Sequence, residues 1–344
     1  MRAAVVRNFS EDLSIETVSD PACPDSGVVL EVMACGVCRS DYHGWVGKHP
    51  RVEDGSILGH EYCGIVVETG ARAKHRVGDR LIAPFILGCG SCAACQTGVS
   101  NTCERQIVPG FGWPGAYAEY VAAPFDHNLV HLPETMTPAL AAGLGCRVTT
   151  AWHALTDRAN LRAGEWVAVH GTGGIGLAAV LLAKMLGAQV VAVDVVQEKL
   201  EHARRHGADA TVNAAETDAA EAIREITGGG AQVSVEALGI EATTNASIEC
   251  LATLGRHVHV GMPSGSGLMQ VNMRAIYAKQ LSFFGTRGMP SWKYPSLLGM
   301  IERGDVDIGP MVAREITLSG ASAELRAMGG PTPPGTAVIT DLKR

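Results

Sequence analysis

Residues 166–176, WVAVHGTGGIG, decide how half of this chain folds. The opening run is short and apolar, as a strand buried on both faces of a parallel sheet must be. Gly171, Gly173 and Gly176 then match G-x-G-x-x-G, and a helical pattern runs from Ile175 to Leu186. In a strand–turn–helix unit Gly171 makes the tight turn, Gly173 lets main-chain amides approach a pyrophosphate, and Gly176 allows close helix-to-strand packing. Gly174 and Ile175 complete the turn, and the helix N-terminus favours negative charge. The glycines alone are a weak signal; their position between strand and helix makes them a strong one.

Working outward, Val191-Ala192-Val193 ends in Asp194, 18 residues past Gly176, placed to accept hydrogen bonds from an adenosine ribose. A carboxylate there repels a 2′-phosphate, which favours NAD over NADP. The same residue is equally well placed to cap the following helix, and S-adenosylmethionine enzymes use a related acidic end. Lys199, one helical turn further, is within reach of the same ribose. Further apolar segments at 189–193, 233–236, 257–260 and 281–284 alternate with helical patterns such as 197–206, the signature of a parallel α/β sheet.

Residues 1–147 have a different texture. Short β-type runs at 3–6, 28–33, 64–68, 80–83 and 118–121 are joined by Gly-, Pro- and Cys-rich connections. After Arg287 the pattern breaks at Met289-Pro290, gives a helix near 294–302 and a strand near 337–340. The expected division is a mainly β unit at 1–147, a nucleotide-binding unit at 148–286, and a tail, 287–344, that returns to the first unit. A length of 344 residues suits about two domains.

Within GCGSCAACQTGVSNTCE, Cys89, Cys92, Cys95 and Cys103 have the spacing C-x2-C-x2-C-x7-C. Four thiolates on so short a loop converge on one zinc at about 2.3 Å, and four protein ligands leave no vacancy, so the lobe at 88–104 is expected to hold a structural metal. An iron–sulfur cluster accepts the same donors. The opening MRAAVVRNFS has neither the charged start nor the apolar run of a secretory signal, so a reducing cytoplasmic location is expected rather than disulfides. Net charge of −7 argues against a nucleic-acid partner, and no apolar run reaches the roughly 18 residues of a membrane span.

Outside the lobe, Cys38, His60 and Cys146 would make two thiolates and an imidazole with a fourth position open, the arrangement of a catalytic zinc. Spacing alone does not prefer them to Cys23, Cys35, Cys63 or Cys250. The order of C-x-S-D-x-x-H at 38–43, Gly59-His60-Glu61, the four-cysteine lobe, Cys146 followed by Thr150, the Gly171 turn and Val260-Gly261 does. Over nearly its whole length the chain resembles the zinc-containing alcohol dehydrogenases of the medium-chain dehydrogenase/reductase (MDR) family.

The resemblance implies a Rossmann doubly wound sheet beside a mainly β GroES-like catalytic domain, and two zinc ions per subunit. Cys38, His60 and Cys146 would bind the catalytic zinc, with Glu61 as an alternative or supporting ligand and Asp41 holding the His60 ring. An alcohol would lose its proton on zinc, through Ser40 and His43, and pass hydride to NAD. Arg39, beside Cys38, would occupy the family position that pairs with pyrophosphate, and cofactor affinity would rest more heavily on it because Gly335-Thr336-Ala337 offers no basic residue where the family often has one. Thr150 and Val260 would flank the nicotinamide, and Phe85, Trp113 and Trp45 would line the substrate pocket. Primary or secondary alcohols and their aldehydes or ketones are the expected substrates, with polyol (sorbitol/butanediol-type) or threonine-type oxidation as the near alternative. Polyol enzymes of the family commonly carry glutamate where this chain has Cys146. A zinc-free quinone reductase would lack Cys38 and Cys146, and a non-catalytic zinc module would leave the Gly171 turn unexplained. A homo-oligomer, tetramer rather than dimer, is also implied.

Overall fold

The computed structural model describes residues 1–263, 267–330 and 334–344. Its nucleotide-type half is a six-stranded parallel sheet in the order Ala210–Asn213, Gln189–Asp194, Trp166–His170, Ala231–Glu236, Leu251–His259, Ser282–Gly285. Val167, Val169, Val190, Val191, Val233 and Val235 have no solvent exposure, which explains why these strands read as continuous apolar runs. The chain winds outward from Trp166–His170 in one direction, then crosses to Ala231–Glu236 on its other side. That reversal opens a crevice at the strands' carboxyl ends, where His170, Asp194, Glu236 and His259 terminate their strands.

The second sheet has seven strands. Val312–Thr317, Thr336–Asp341, Val28–Gly36, Glu61–Thr69, Arg80–Ile82 and Val130–His131 lie in that order, with Tyr120–Ala123 also paired to Val28–Gly36. Thr336–Asp341 joins it antiparallel, Val338 opposite Gly36 and Ile339 opposite Cys35, so the end of the chain comes back to its beginning. The helix expected near 294–302 is Tyr294–Glu302.

One element that positions the site is invisible in strand and motif patterns. Residues Pro138–His153 form a helix capped by the Thr137 hydroxyl, with proline at its first turn. It packs on Val28–Gly36 and Glu61–Thr69 of one sheet and on Gly174–Met185 of the other half. The helical path breaks at Gly145, whose φ of 25° and ψ of −143° turn the next residue inward. Cys146 and Thr150 therefore ride on the helix that joins the two halves. Among the described residues no helix is long and apolar enough to cross a membrane.

Candidate active site

The short helix Arg39–Trp45 starts at Cys38, and Asp41, at its third position, reaches back to accept from the Cys38 amide at 3.0 Å. Asp41 is fully buried and saturated. It also accepts from the Gly59 amide at 3.1 Å and the Tyr117 hydroxyl at 3.2 Å, and stands 3.0 Å from His60 Nδ1. One carboxylate thus fixes the backbone of Cys38 and the ring of His60 together, leaving Nε2 as the nitrogen free to ligate. Burial works against a charged imidazole, but Asp41 and Cys38 prevail and the His60 pKa is raised.

Cys146 is brought to Cys38 by the break at Gly145, and the two sulfurs lie 3.3 Å apart. A β-carbon on Gly145 would stand 2.4 Å from Glu61 Cδ, and one on Gly36 2.5 Å from Glu61 Oε2, so glycine at both positions makes room for the carboxylate. Glu61 Oε1 accepts from the Cys146 amide at 2.9 Å, while Oε2 forms an ion pair with Arg147 Nη1 at 2.8 Å that lacks hydrogen-bond alignment. Burial raises the Glu61 pKa to about 7, with Arg147 opposing it. A hydrogen bond from Cys146 holds the Cys38 thiol below its ordinary range despite burial.

The donor atoms of Cys38, His60, Glu61 and Cys146 all lie within 4.8 Å of one another, as do those of Cys89, Cys92, Cys95 and Cys103. Ligands at about 2.3 Å on a tetrahedron place two sulfurs roughly 3.8 Å apart. The 3.7 Å between Cys92 and Cys103 matches that spacing, and the 3.3 Å between Cys38 and Cys146 is somewhat shorter, so each group is sized to close on a single ion. The first group is entirely buried and mixed in donor type; the second is all thiol and partly exposed.

The nucleotide turn has the expected form. Gly171 has φ of 87°, a β-carbon on Gly176 would stand 1.8 Å from the Gly171 carbonyl oxygen, and one on Gly173 would meet nothing within 4 Å. Close packing at Gly176 and open approach at Gly173 are what a pyrophosphate cradle needs. Asp194 accepts from the Thr172 amide and hydroxyl at 2.8 and 3.0 Å, and from the Val195 and Val196 amides at 2.8 and 3.1 Å. Arg147 connects turn and metal cluster. Its guanidinium pairs with Glu61, and its Cδ would stand 2.4 Å from a β-carbon on Gly174.

The remaining expected residues are placed as follows. Ser40 and His43 are half-buried on one helix, three apart and hence on one face. Thr150 is buried and accepts from the Gly288 amide at 3.1 Å. The Val260 amide donates to the Glu236 carbonyl. Lys199 lies on the helix Gln197–Arg205, in no ion pair among the described residues. Arg39 donates to the Met328 carbonyl and covers the Tyr42 ring. Phe85 packs edge-on to His60 at 5.9 Å. The Trp113 indole donates to the Ala122 carbonyl and that of Trp45 to the Glu11 carbonyl. Phe111, its ring centre 5.2 Å from that of His60, and His49, 4.4 Å from Phe111, are aromatic neighbours of the cluster that sequence reasoning missed. Arg147 was equally missed, although it directly follows Cys146.

Comparison with known proteins agrees with this geometry. Residues 24–134 match the family model "Alcohol dehydrogenase GroES-like domain" and 174–303 match "Zinc-binding dehydrogenase". An alcohol dehydrogenase of Geobacillus stearothermophilus is 38% identical over 266 residues, 76% of this chain and 78% of that one. An erythritol/L-threitol dehydrogenase of Mycolicibacterium smegmatis is 33% identical over 334 residues, covering 92% and 91%. The solved structure of alcohol dehydrogenase TADH from Thermus sp. ATN1 superposes with TM-score 0.91 at 30% identity, over 98% of this chain and 99% of that one. The fold, the two metal-ligand groups and these matches define a zinc-dependent oxidoreductase. This chain belongs to the zinc-binding alcohol dehydrogenases of the MDR family.

Proposed function

We propose that the protein oxidises a primary or secondary alcohol to the aldehyde or ketone, and the reverse, with NAD as hydride acceptor. The observation that carries this is the junction at Arg147, which sets a buried Cys38–His60–Cys146 cluster directly against the Gly171–Gly176 turn. Zinc bound there supplies Lewis acidity that makes an alcohol proton removable near neutral pH.

The chain's own residues do the rest. Ser40 receives the proton and His43 passes it to solvent. Burial first, then Arg39 and Lys48, lower the His43 pKa, so the ring is neutral and able to accept at pH 7. Thr150, tied to Gly288, flanks the nicotinamide together with Val260. Phe85 and Phe111 exclude water around the reacting carbon. Asp194 receives the ribose hydroxyls and disfavours a 2′-phosphate, and Arg39 supports the pyrophosphate. In this reading 1–147 and 287–344 form the catalytic unit, 148–286 binds the cofactor, and the enzyme works in the cytoplasm as a homo-oligomer, a tetramer in preference to a dimer. The Mycolicibacterium relative supports a second reading, polyol oxidation by the same groups.

A panel of ethanol, benzyl alcohol, 2-butanol, erythritol and threonine, each with NAD and with NADP, tests the proposal through absorbance of the reduced cofactor. Turnover of simple alcohols with NAD is expected; turnover confined to polyols or to NADP overturns the corresponding part.

A further inference from the structure

Near the cluster stands positive charge that no carboxylate among the described residues answers. Arg287 places its guanidinium carbon 5.6 Å from the centre of the Phe85 ring, the ring that packs against His60. Its neighbour Gly288 donates to Thr150, and a β-carbon at 288 would stand 3.1 Å from Phe85, so this backbone lies between Phe85 and Thr150. The one polar partner of the guanidinium among the described residues is neutral: Nη1 donates to Gln106 Oε1 at 2.7 Å. Both arginines are exposed overall, yet solvent lost around the Arg287 guanidinium lowers its pKa first and Arg51 second, and burial, then Arg51 and Arg287, lower that of His49. Neither arginine forms an ion pair among the described residues.

The arginine is also held in place. Asn101 donates to the Arg287 carbonyl at 3.0 Å, and Gln106 donates to the carbonyl of Cys103 at 2.9 Å while accepting from the guanidinium. The four-cysteine lobe, through Asn101, and Gln106 just after it thereby anchor the backbone and the tip of this one residue. A planar five-donor fork, fixed at one nitrogen and open at the others, suits a carboxylate or phosphate and serves no purpose toward a simple aliphatic alcohol.

We infer that the alcohol this enzyme oxidises carries an anionic group, a carboxylate or a phosphate, received by Arg287 with Arg51 beside it. Arg287 sets that specificity, and Gln106 acts as its positioning residue. The inference rests on the alcohol dehydrogenase reading above and narrows its substrate class.

The test compares kcat/KM with NAD for matched pairs: 1-butanol against 4-hydroxybutanoate, and 1,3-propanediol against its monophosphate. The zinc-loaded enzyme is expected to prefer the anionic member of at least one pair, and which pair separates carboxylate from phosphate. In Arg287→Ala the ratio of anionic to neutral kcat/KM falls roughly 10- to 100-fold, the range of a lost charge-assisted hydrogen bond. Arg287→Lys restores part of it, and Gln106→Ala lowers the same ratio through KM with kcat for the anion retained. A wild-type preference for both neutral members, or a ratio unmoved in Arg287→Ala, overturns the inference. So does a loss of NADH affinity in Arg287→Ala that matches its loss of turnover, because Arg287 would then serve the cofactor. If no alcohol of either charge is oxidised, the dehydrogenase reading itself fails. The anion subsite is then decided by calorimetric titration with butanoate and with inorganic phosphate: binding that Arg287→Ala removes upholds it, and absence of binding sinks it.

Discussion

Arg147 shows how much of the site depends on one side chain that does no chemistry. It is buried against Glu61, and burial, which opposes its charge, is outweighed by Glu61 and the cluster thiols. Arg147→Met removes the cation and leaves a buried carboxylate, so urea unfolding of the zinc-loaded protein should show a loss of about 3–5 kcal/mol. Unchanged stability would mean that Glu61 is protonated and forms no ion pair with Arg147. His43 makes a different kind of prediction. Because its pKa is lowered, alcohol oxidation should hold down to pH 6.5 and decline only below it, as the ring becomes protonated and stops accepting. His43→Ala should remove that limb and slow oxidation on the order of 10²-fold at pH 7; an unaltered pH–rate profile would remove His43 from the relay. At this scale the sequence made Cys38, His60, Cys146 and Asp41 legible, because order and separation carry the family resemblance. Arg147 and Arg287 were not legible, since a surface arginine and a buried one look alike until their partners across 86 or more residues are known.

Among the elements, the four-cysteine lobe and the outer edge of the nucleotide sheet are the most exposed to test. The lobe touches the rest of the chain through Asn101, which donates to the Arg287 carbonyl, and through the Trp292 indole, which donates to the Gly98 carbonyl at 2.7 Å. Cys92→Ser should lower the melting temperature and release one zinc, with residual alcohol oxidation in the fraction that stays folded; a melting temperature equal to wild type would deny the lobe a structural role. The strand Ser282–Gly285 ends the six-stranded sheet, with Phe283 46% exposed on it and Tyr277 85% exposed on the preceding helix. An open apolar sheet edge invites pairing with another copy. Phe283→Lys should therefore shift the species seen in light scattering to a smaller assembly, and an unchanged mass would place the subunit contact elsewhere. Alternating strand and helix patterns made the parallel sheet readable in advance. The helix Pro138–His153 was missed because it is buried nearly all round and shows no polar face to reveal its period.

For the whole molecule, acid should be destabilising through two buried histidines as well as through metal loss. Burial lowers His170 to about 4 and His257 to about 3, whereas both titrate near 6.5 once unfolded. Between those values the unfolded chain binds more protons, so stability is full above pH 6.5 and is lost as pH falls toward 4, by about 3 kcal/mol for His170 alone. His170→Gln should flatten the pH dependence of urea unfolding over that window, and an equal slope would show that the metal sites alone govern it. The account as a whole depends on a buried metal held at the junction of two halves and separate from the lobe metal. Zinc content per folded chain tests it most directly: two in the wild type, and one in Cys38→Ser, which should keep its fold and its NADH binding while losing turnover. A Cys38→Ser protein that retained both zinc ions, or oxidised alcohol as before, would contradict it.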